Sequence, residues 1–245
     1  MTRVSLRRNQ EARVTTTVVI PLYPGVTQLD FTGPHQFLAR MPDAKVLVAS
    51  RGGADIEADG LCFSRLADLE AIERCDVLCV PGGWGCVEAI EDERFLESVR
   101  RLAASARYPA SVCTGSLILG AAGVLRGRRA ACDWAWRPLL ELFGAIPDAG
   151  RIVRDGDVFT GGGVTAGIDL SLAIVAALRG EEVAQAIQLG LEYAPAPPFD
   201  AGRPELAPPP VRAAVDAAMT GRLSAQHDRI ARIAAALSPV AQAPS

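Results

Sequence analysis

Residues 110–123 read ASVCTGSLILGAAG, and this stretch decides the fold because its character changes in the middle. The first residues are a short apolar run typical of a buried strand. The residues from Ser116 onward are small and apolar, which favours a helix packed closely on a sheet. Cys113 stands at the junction, where it could be a buried hydrophobe, a metal ligand, half of a disulfide or a nucleophile. The rest of the chain has to distinguish these roles.

Strands and helices alternate on both sides of this stretch. Apolar, β-branched runs predict strands over 14–22, 45–50 and 75–83. Because these strands are apolar throughout, we expect an α/β fold with a mostly parallel sheet and helices on both faces. The other predicted elements are short strands within 52–69, a hairpin over 153–159, a helix over 27–40 interrupted at Gly33-Pro34, and helices over 93–106, 116–122, 134–143, 165–178, 181–193 and 211–236.

One domain with two appendages is expected. Residues 1–13 are rich in arginine and contain no apolar segment, which predicts a disordered tail and argues against a secretory signal. Residues 14–202 contain the predicted strands and form a single α/β domain, and residues 203–245 form a C-terminal helical extension. The Pro-rich arm over 194–210 cannot form regular structure, and we expect it to lie on the body or on a partner subunit.

The composition narrows the class of protein. The chain has 245 residues, is 49% hydrophobic and 22% charged, and has a net charge of -3, which is ordinary for a globular enzyme and gives no reason to expect nucleic acid as a partner. Residues 108–125 carry no charge, but Pro109 and the strand-turn-helix pattern favour a buried core segment over a membrane span. We therefore expect a cytoplasmic protein that does not contact a membrane.

The remaining cysteines and the histidines weaken two of the four roles of Cys113. The six cysteines include no Cys-x-x-Cys pair, and only His35 and His227 could complete a Cys/His site, so no metal is expected. The chain is long and has no expected secretory signal, which makes a disulfide framework improbable. A nucleophile and a buried core residue stay equally compatible with the residues alone.

The nucleophile interpretation rests on the position of Cys113 before a helix. The unpaired amides of a helix N-terminus lower a thiol pKa from roughly 8.5 into the range of about 3.5–7.5. Gly82-Gly83 follows another predicted strand, and a turn there could present free N–H groups to a developing anion. Asp30 becomes a proton shuttle if it faces Cys113, and is otherwise an ordinary surface or capping carboxylate.

Five motifs together resemble the ThiJ/PfpI superfamily, and in particular its isonitrile hydratase branch. The resemblance extends from about residue 18 to residue 202 and is carried by LYPGVTQLDFTGP, VPGGWG, SVCTGSLILGAAGVLRGRRA, FTGGGVTAGIDLSL and QLGLEYAPAPPFDAG. It implies a flavodoxin-like sandwich, a homodimer, no cofactor, and a small-molecule substrate attacked by a cysteine.

Carried over by position, the resemblance implies roles for particular residues. Cys113 is the nucleophile, Asp30 is its acidic partner and Thr114 adds polar support. The loop of Gly82 and Gly83 presents an amide to the reacting centre, and Val164 packs beside the cysteine.

Two positions depart from the branch. Asp133-Trp134 stands where a histidine-tryptophan pair is common, and Trp84 stands where a smaller residue is usual, so it could reshape the substrate pocket.

The expected reaction is the hydration of an isonitrile to an N-substituted formamide through a thioimidate on Cys113. In this hypothesis Asp30 relays the proton and later activates water. A ligand-sensing module without catalysis is an alternative, as is a glyoxalase-like or peptidase-like cysteine enzyme of the same superfamily. The absence of a histidine in the sequence next to Cys113 argues against a peptidase triad.

Overall fold

The computed structural model describes residues 15–237, apart from the side chain at position 222. The tail predicted over 1–13 and the last residues, 238–245, lie outside this range. A long C-terminal helix is formed as predicted, whereas the division of the chain at residue 202 into domain and extension stays a prediction.

A seven-stranded sheet forms the centre of the molecule, in the order β10-β11-β7-β6-β1-β2-β5. Its neighbours pair in parallel except β10 and β11, which form the predicted hairpin. Two small sheets, β3-β4 and β8-β9, lie outside it. The strands are β1 (Thr16–Pro21), β2 (Ala44–Ser50), β3 (Ile56–Ala58), β4 (Leu61–Phe63), β5 (Ala67–Asp68), β6 (Val77–Val80), β7 (Tyr108–Val112), β8 (Arg129–Ala130), β9 (Ile146–Pro147), β10 (Ile152–Asp155) and β11 (Val158–Gly161).

The helices pack around this sheet in two groups. One group consists of α1, α5 and α6, and the other of α2, α3, α4 and α7. This arrangement confirms the predicted flavodoxin-like α/β fold. The helices are α1 (Gln28–Leu38), α2 (Cys86–Glu91), α3 (Glu93–Ser105), α4 (Gly115–Ala121), α5 (Ala166–Arg179), α6 (Glu181–Gly190) and α7 (Pro209–Leu237), and the 3-10 segments are Arg51–Gly53, Leu69–Ala71 and Arg137–Phe143.

Two local predictions were wrong. The helix expected over 134–143 is a turn followed by the 3-10 segment Arg137–Phe143, which ends at Gly144 in the left-handed conformation. Helix α1 continues through Pro34 without interruption, because the proline ring is buried and packs beside Gly167 of α5. Tertiary packing thus overrides the cost of a proline inside a helix.

The topology brings three segments of the chain together. Strands β6 and β7 are adjacent, and β1 lies between β6 and β2, so the order of the sheet reverses beside β1. Ligands of open α/β sheets bind at the carboxyl ends of the strands where the order reverses. Asp30, Gly82 and Cys113 all follow the carboxyl ends of these strands.

Helix α7 packs back onto the body. Ile230 is fully buried, and Arg229 forms ion pairs with Glu88 at 2.6 Å and Glu91 at 2.5 Å on α2. Within residues 15–237, no helix is both long and apolar enough to cross a membrane.

Candidate active site

Cys113 occupies a strained elbow between β7 and α4. Its φ angle is +56°, a left-handed conformation that costs a residue with a Cβ about 1–3 kcal/mol. Its N–H donates to the carbonyl of Gly161 at 3.1 Å, and the residue is 6% exposed. A Cβ at Gly115 would lie 2.2 Å from the carbonyl oxygen of Val80, so only glycine lets α4 start so close to β6. The surrounding strands therefore fix the elbow.

Asp30 lies in the first turn of α1 and is completely buried. Its Oδ2 accepts a hydrogen bond from the N–H of Gly82 at 2.9 Å, while Oδ1 is buried and makes no hydrogen bond of normal geometry within the described part of the chain. The thiol of Cys113 lies close enough to this carboxyl to lower its pKa, as the N–H of Gly82 also does. Burial outweighs both groups and raises the pKa of Asp30 to about 7.

Thr114 ties the elbow to the glycine loop. Its Oγ1 accepts a hydrogen bond from the N–H of Gly83 at 2.8 Å and donates to the carbonyl of the same residue at 3.0 Å. The N–H of Gly82 donates to Asp30, and that of Gly83 donates to Thr114. The prediction of free N–H groups at Gly82-Gly83 was therefore wrong. These amides position the carboxyl of Asp30 and the hydroxyl of Thr114, and are not available to a substrate in this geometry.

The prediction of a low pKa for the thiol of Cys113 was also wrong. Burial raises the pKa of Cys113 well above its ordinary value, and the carboxyls of Asp30 and Asp133 raise it further. The N–H of Thr114, at the start of α4, acts in the opposite direction but is outweighed. A thiol in this setting needs a base to remove its proton, and Asp30 is the adjacent candidate.

A small cavity of about 130 Å³ opens beside Cys113. Its walls are largely apolar, and the rings of Trp84 and Trp136 meet edge to face with their centroids 5.5 Å apart. Its lining residues are Thr27, Gly83, Trp84, Cys113, Thr114, Asp133, Trp136, Val164 and Met219. Asp30 and Gly82 are not among the lining residues.

Three lining residues were not predicted from the sequence. Trp136 is buried in the turn before the 3-10 segment, Met219 comes from α7, and Thr27 precedes α1. His227 of α7 places its ring 6.2 Å from that of Trp136. Apolar side chains on a late helix carry no signal that they reach a site formed by the sheet.

Metal and disulfide chemistry find no support in the part of the chain that the structure describes. Residues 15–237 contain no cluster of three or more histidine, cysteine, aspartate or glutamate residues that could hold a metal ion. All six cysteines are free thiols, and Cys62 is the exposed one.

Comparisons with known proteins agree with this architecture. The family model of the DJ-1/PfpI family matches residues 16–177. The isonitrile hydratase of Pseudomonas putida is 50% identical over 188 residues, which cover 76% of this chain and 82% of that protein. The crystal structure of a ThiJ/PfpI family protein from Pseudomonas syringae superposes with a TM-score of 0.85 at 36% identity, covering 96% of this chain and 97% of that one.

A transcriptional regulator shares part of the chain. The HTH-type transcriptional regulator CdhR of Pseudomonas aeruginosa is 28% identical over 140 residues, which cover 56% of this chain but only 41% of the regulator. More than half of that regulator therefore has no counterpart in the matched region.

Proposed function

Because the chain belongs to the DJ-1/PfpI family, we propose that it shares the activity named for its relative from Pseudomonas putida and hydrates isonitriles, R–N≡C, to N-substituted formamides, R–NH–CHO. The observation that carries this proposal is the position of Cys113 between a buried carboxyl and a small apolar cavity. An isonitrile offers few hydrogen-bonding groups, so an apolar pocket suits it.

The first half of the reaction forms a thioimidate. The sulfur of Cys113 attacks the terminal carbon of the isonitrile while the carboxylate of Asp30 accepts the thiol proton. Asp30 then delivers that proton to the same carbon, which gives Cys113–S–CH=N–R. A carboxyl with a pKa of about 7 transfers protons efficiently in both directions at neutral pH.

The second half releases the product. Water adds to the thioimidate carbon, and the nitrogen gains a proton. The C–S bond then breaks with the electron pair returning to sulfur, and the hydroxyl proton is transferred to that sulfur as the formamide carbonyl forms, which restores the thiol of Cys113. The net change is the addition of one water molecule, and no oxidant, reductant or cofactor enters the balance.

The pH dependence of the wild-type protein tests the role of Asp30 in the first half. We expect kcat/KM for a simple alkyl isonitrile to rise about tenfold per pH unit below about 7 and to level off above it, because Asp30 must lose its proton to accept that of Cys113. The carboxyls of Asp133 and Asp59 also raise the pKa of Asp30. Initial rates between pH 5 and 9, corrected for uncatalysed hydrolysis, measure the profile. A profile that falls with rising pH through 7 would contradict this role.

Trp84 is proposed to limit the size of the substrate. We expect Trp84→Ala to lower KM for a bulky isonitrile such as the cyclohexyl compound severalfold, with a smaller change for a methyl or ethyl isonitrile, because the indole forms one wall of the cavity. Trp134→Ala is the matched control, since that ring lies beside the guanidinium of Arg212 outside this cavity. Equal effects of both variants on both substrates would contradict a steric role.

A panel of substrates separates the proposed activity from its alternatives. Purified protein is incubated with alkyl isonitriles, methylglyoxal and peptides, and each product is quantified. Formamide production supports the proposal. Turnover of methylglyoxal or peptides alone would favour another cysteine enzyme, and binding of a small molecule without turnover would favour a ligand-sensing module.

A homodimer is also proposed. Exposed apolar side chains cluster in the sequence around the Pro-rich arm, with Leu189 82% exposed and Phe199 80% exposed. Phe199 therefore does not pack on the body of its own chain, and a partner subunit could cover it. Light scattering coupled to size-exclusion chromatography measures the mass in solution.

A further inference from the structure

Asp133 is a carboxyl that, unlike Asp30, lines the cavity beside Cys113. It lines the cavity of about 130 Å³ together with Cys113, and it also lines a neighbouring cavity of about 280 Å³. Val164 is the other residue shared by these two cavities. A partly buried carboxyl thus stands where the nucleophile's pocket meets a second, more polar space.

The segment that carries Asp133 is tied to the elbow. Ser116 of α4 donates from Oγ to the carbonyl of Ala131 at 2.6 Å, and the N–H of Ala131 donates to Oγ1 of Thr160 at 2.8 Å. Both bonds are buried, so the chain two residues before Asp133 is held against α4 and β11. Buried hydrogen bonds to the helix and the strand that flank the elbow therefore hold the segment that carries Asp133.

The carboxyl itself has a fixed orientation. Oδ1 of Asp133 accepts a hydrogen bond from the N–H of Ala135 at 3.0 Å, and the backbone carbonyl accepts from the N–H groups of Trp136 at 3.1 Å and Arg137 at 2.8 Å. This capped turn holds the side chain at the cavity wall. Oδ2 faces Gly163, where a Cβ would lie 3.9 Å away.

The proposed reaction needs such a group in its second half. After the first half, the proton of the Cys113–Asp30 pair is on the substrate carbon. The carboxyl of Asp30 is completely buried and does not line the cavity. Water must then lose one proton while the imine nitrogen gains one. A group on the cavity wall, away from Asp30, can perform both transfers.

We propose that Asp133 is the acid-base residue of thioimidate hydrolysis, an inference that rests on the proposed function. It takes a proton from the attacking water as the C–O bond forms and gives that proton to the nitrogen, leaving R–NH–CH(OH)–S–Cys113. Asp30 then takes the hydroxyl proton as the C–S bond breaks and passes it to the departing sulfur, which restores the thiol of Cys113 beside the carboxylate of Asp30. One water is consumed, and Cys113 and both carboxyls regain their starting protonation.

The charges around Asp133 suit a group that both accepts and donates a proton. Burial raises its pKa, whereas the N–H groups of Ala135 and Trp136 and the guanidinium of Arg137 lower it. The other titratable or charged groups that face it from neighbouring elements are Asp30, Cys113, Cys132, Arg151, Arg203 and Glu205.

The test uses Asp133→Asn, because asparagine keeps an oxygen acceptor for the N–H of Ala135 but cannot exchange a proton. Asp148→Asn is the matched control: Asp148 caps a turn in the same way, accepting from the N–H of Gly150 at 2.8 Å, but does not line the cavity of Cys113. Both variants, checked for folding by thermal unfolding, are mixed with an alkyl isonitrile, quenched in acid and analysed by intact-protein mass spectrometry.

For Asp133→Asn we expect kcat to fall about 10²-fold or more, while protein carrying the added mass of the isonitrile accumulates at Cys113 within the first turnover. Asp148→Asn should behave as wild type. Wild-type turnover by a folded Asp133→Asn, or slow turnover without the adduct, would overturn the assignment and leave the proposed function standing. Absence of both formamide and adduct in the wild type would overturn both.

Discussion

Cys113→Ala is expected to lower the hydration of an alkyl isonitrile by roughly 10⁴-fold or more, because the carbon–sulfur bond can no longer form. The cavity wall also carries the hydroxyls of Thr27 and Thr114, which are weaker nucleophiles than a thiol. The hydroxyl of Thr114 is already hydrogen-bonded to both the N–H and the carbonyl of Gly83. Initial rates of formamide formation, followed by NMR, measure the effect.

Cys62→Ala is the control for this variant. Cys62 is the exposed cysteine and lies on β4, so it is the thiol that general reagents meet first. We expect its variant to keep the wild-type rate. A Cys113→Ala protein that hydrates the isonitrile at nearly the wild-type rate would show that Cys113 is not the nucleophile. Loss of activity in Cys62→Ala would indicate that a second thiol is required.

Asp30→Asn is expected to lower kcat/KM by about 10²- to 10⁴-fold, the usual range for loss of an acid-base group. The amide keeps an oxygen that can accept from the N–H of Gly82, so the loop should hold its position. The thiol of Cys113 would lose the base that receives its proton, and the rise of activity through about pH 7 should disappear. Retention of both the rate and the pH profile would contradict the proton relay.

The same substitution should stabilise the fold at high pH. The folded-state pKa of Asp30 is about 7, above its ordinary value of 3.8, so the folded protein binds more protons than the unfolded chain between these values. The associated stability is present below about pH 4 and is lost as the pH rises through about 7. Asparagine carries no such charge, so Asp30→Asn should gain up to about 4 kcal/mol over wild type at pH 8, and little of this at pH 4.

Chemical denaturation at pH 5 and pH 8 measures this difference, with Asp148→Asn as a control at a partly exposed carboxyl outside the site that pairs with Arg129. A gain in stability coupled to a loss of activity would indicate that the buried charge is retained for catalysis. A difference between wild type and Asp30→Asn that is the same at both pH values would contradict the raised pKa.

Much of the fold could be predicted from the sequence because the strands are continuous apolar runs separated by amphipathic helices. The strand-turn-helix pattern around Cys113 places the cysteine at a carboxyl end of the sheet, and the structure brings Asp30 and the Gly82-Gly83 loop to the same edge. These relations follow from local patterns and from the rules of parallel sheets.

Other features depend on long-range packing and could not be predicted in this way. Met219 reaches the cavity only because α7 packs back on the body. Trp136 reaches it from a turn, whereas the spacing of apolar residues over 134–143 predicts a helix there. The state of the thiol was mispredicted because a helix N-terminus was weighed without the burial and the two carboxyls that oppose it.

Product formation from a simple alkyl isonitrile in D₂O, with wild type and Cys113→Ala compared side by side, tests whether Cys113 is the nucleophile and Asp30 the proton donor. We expect wild type to form the N-alkylformamide with deuterium on the formyl carbon, delivered through Asp30, and Cys113→Ala to match the protein-free blank. Formamide at the same rate from both proteins, or none from wild type above the blank, would contradict these roles.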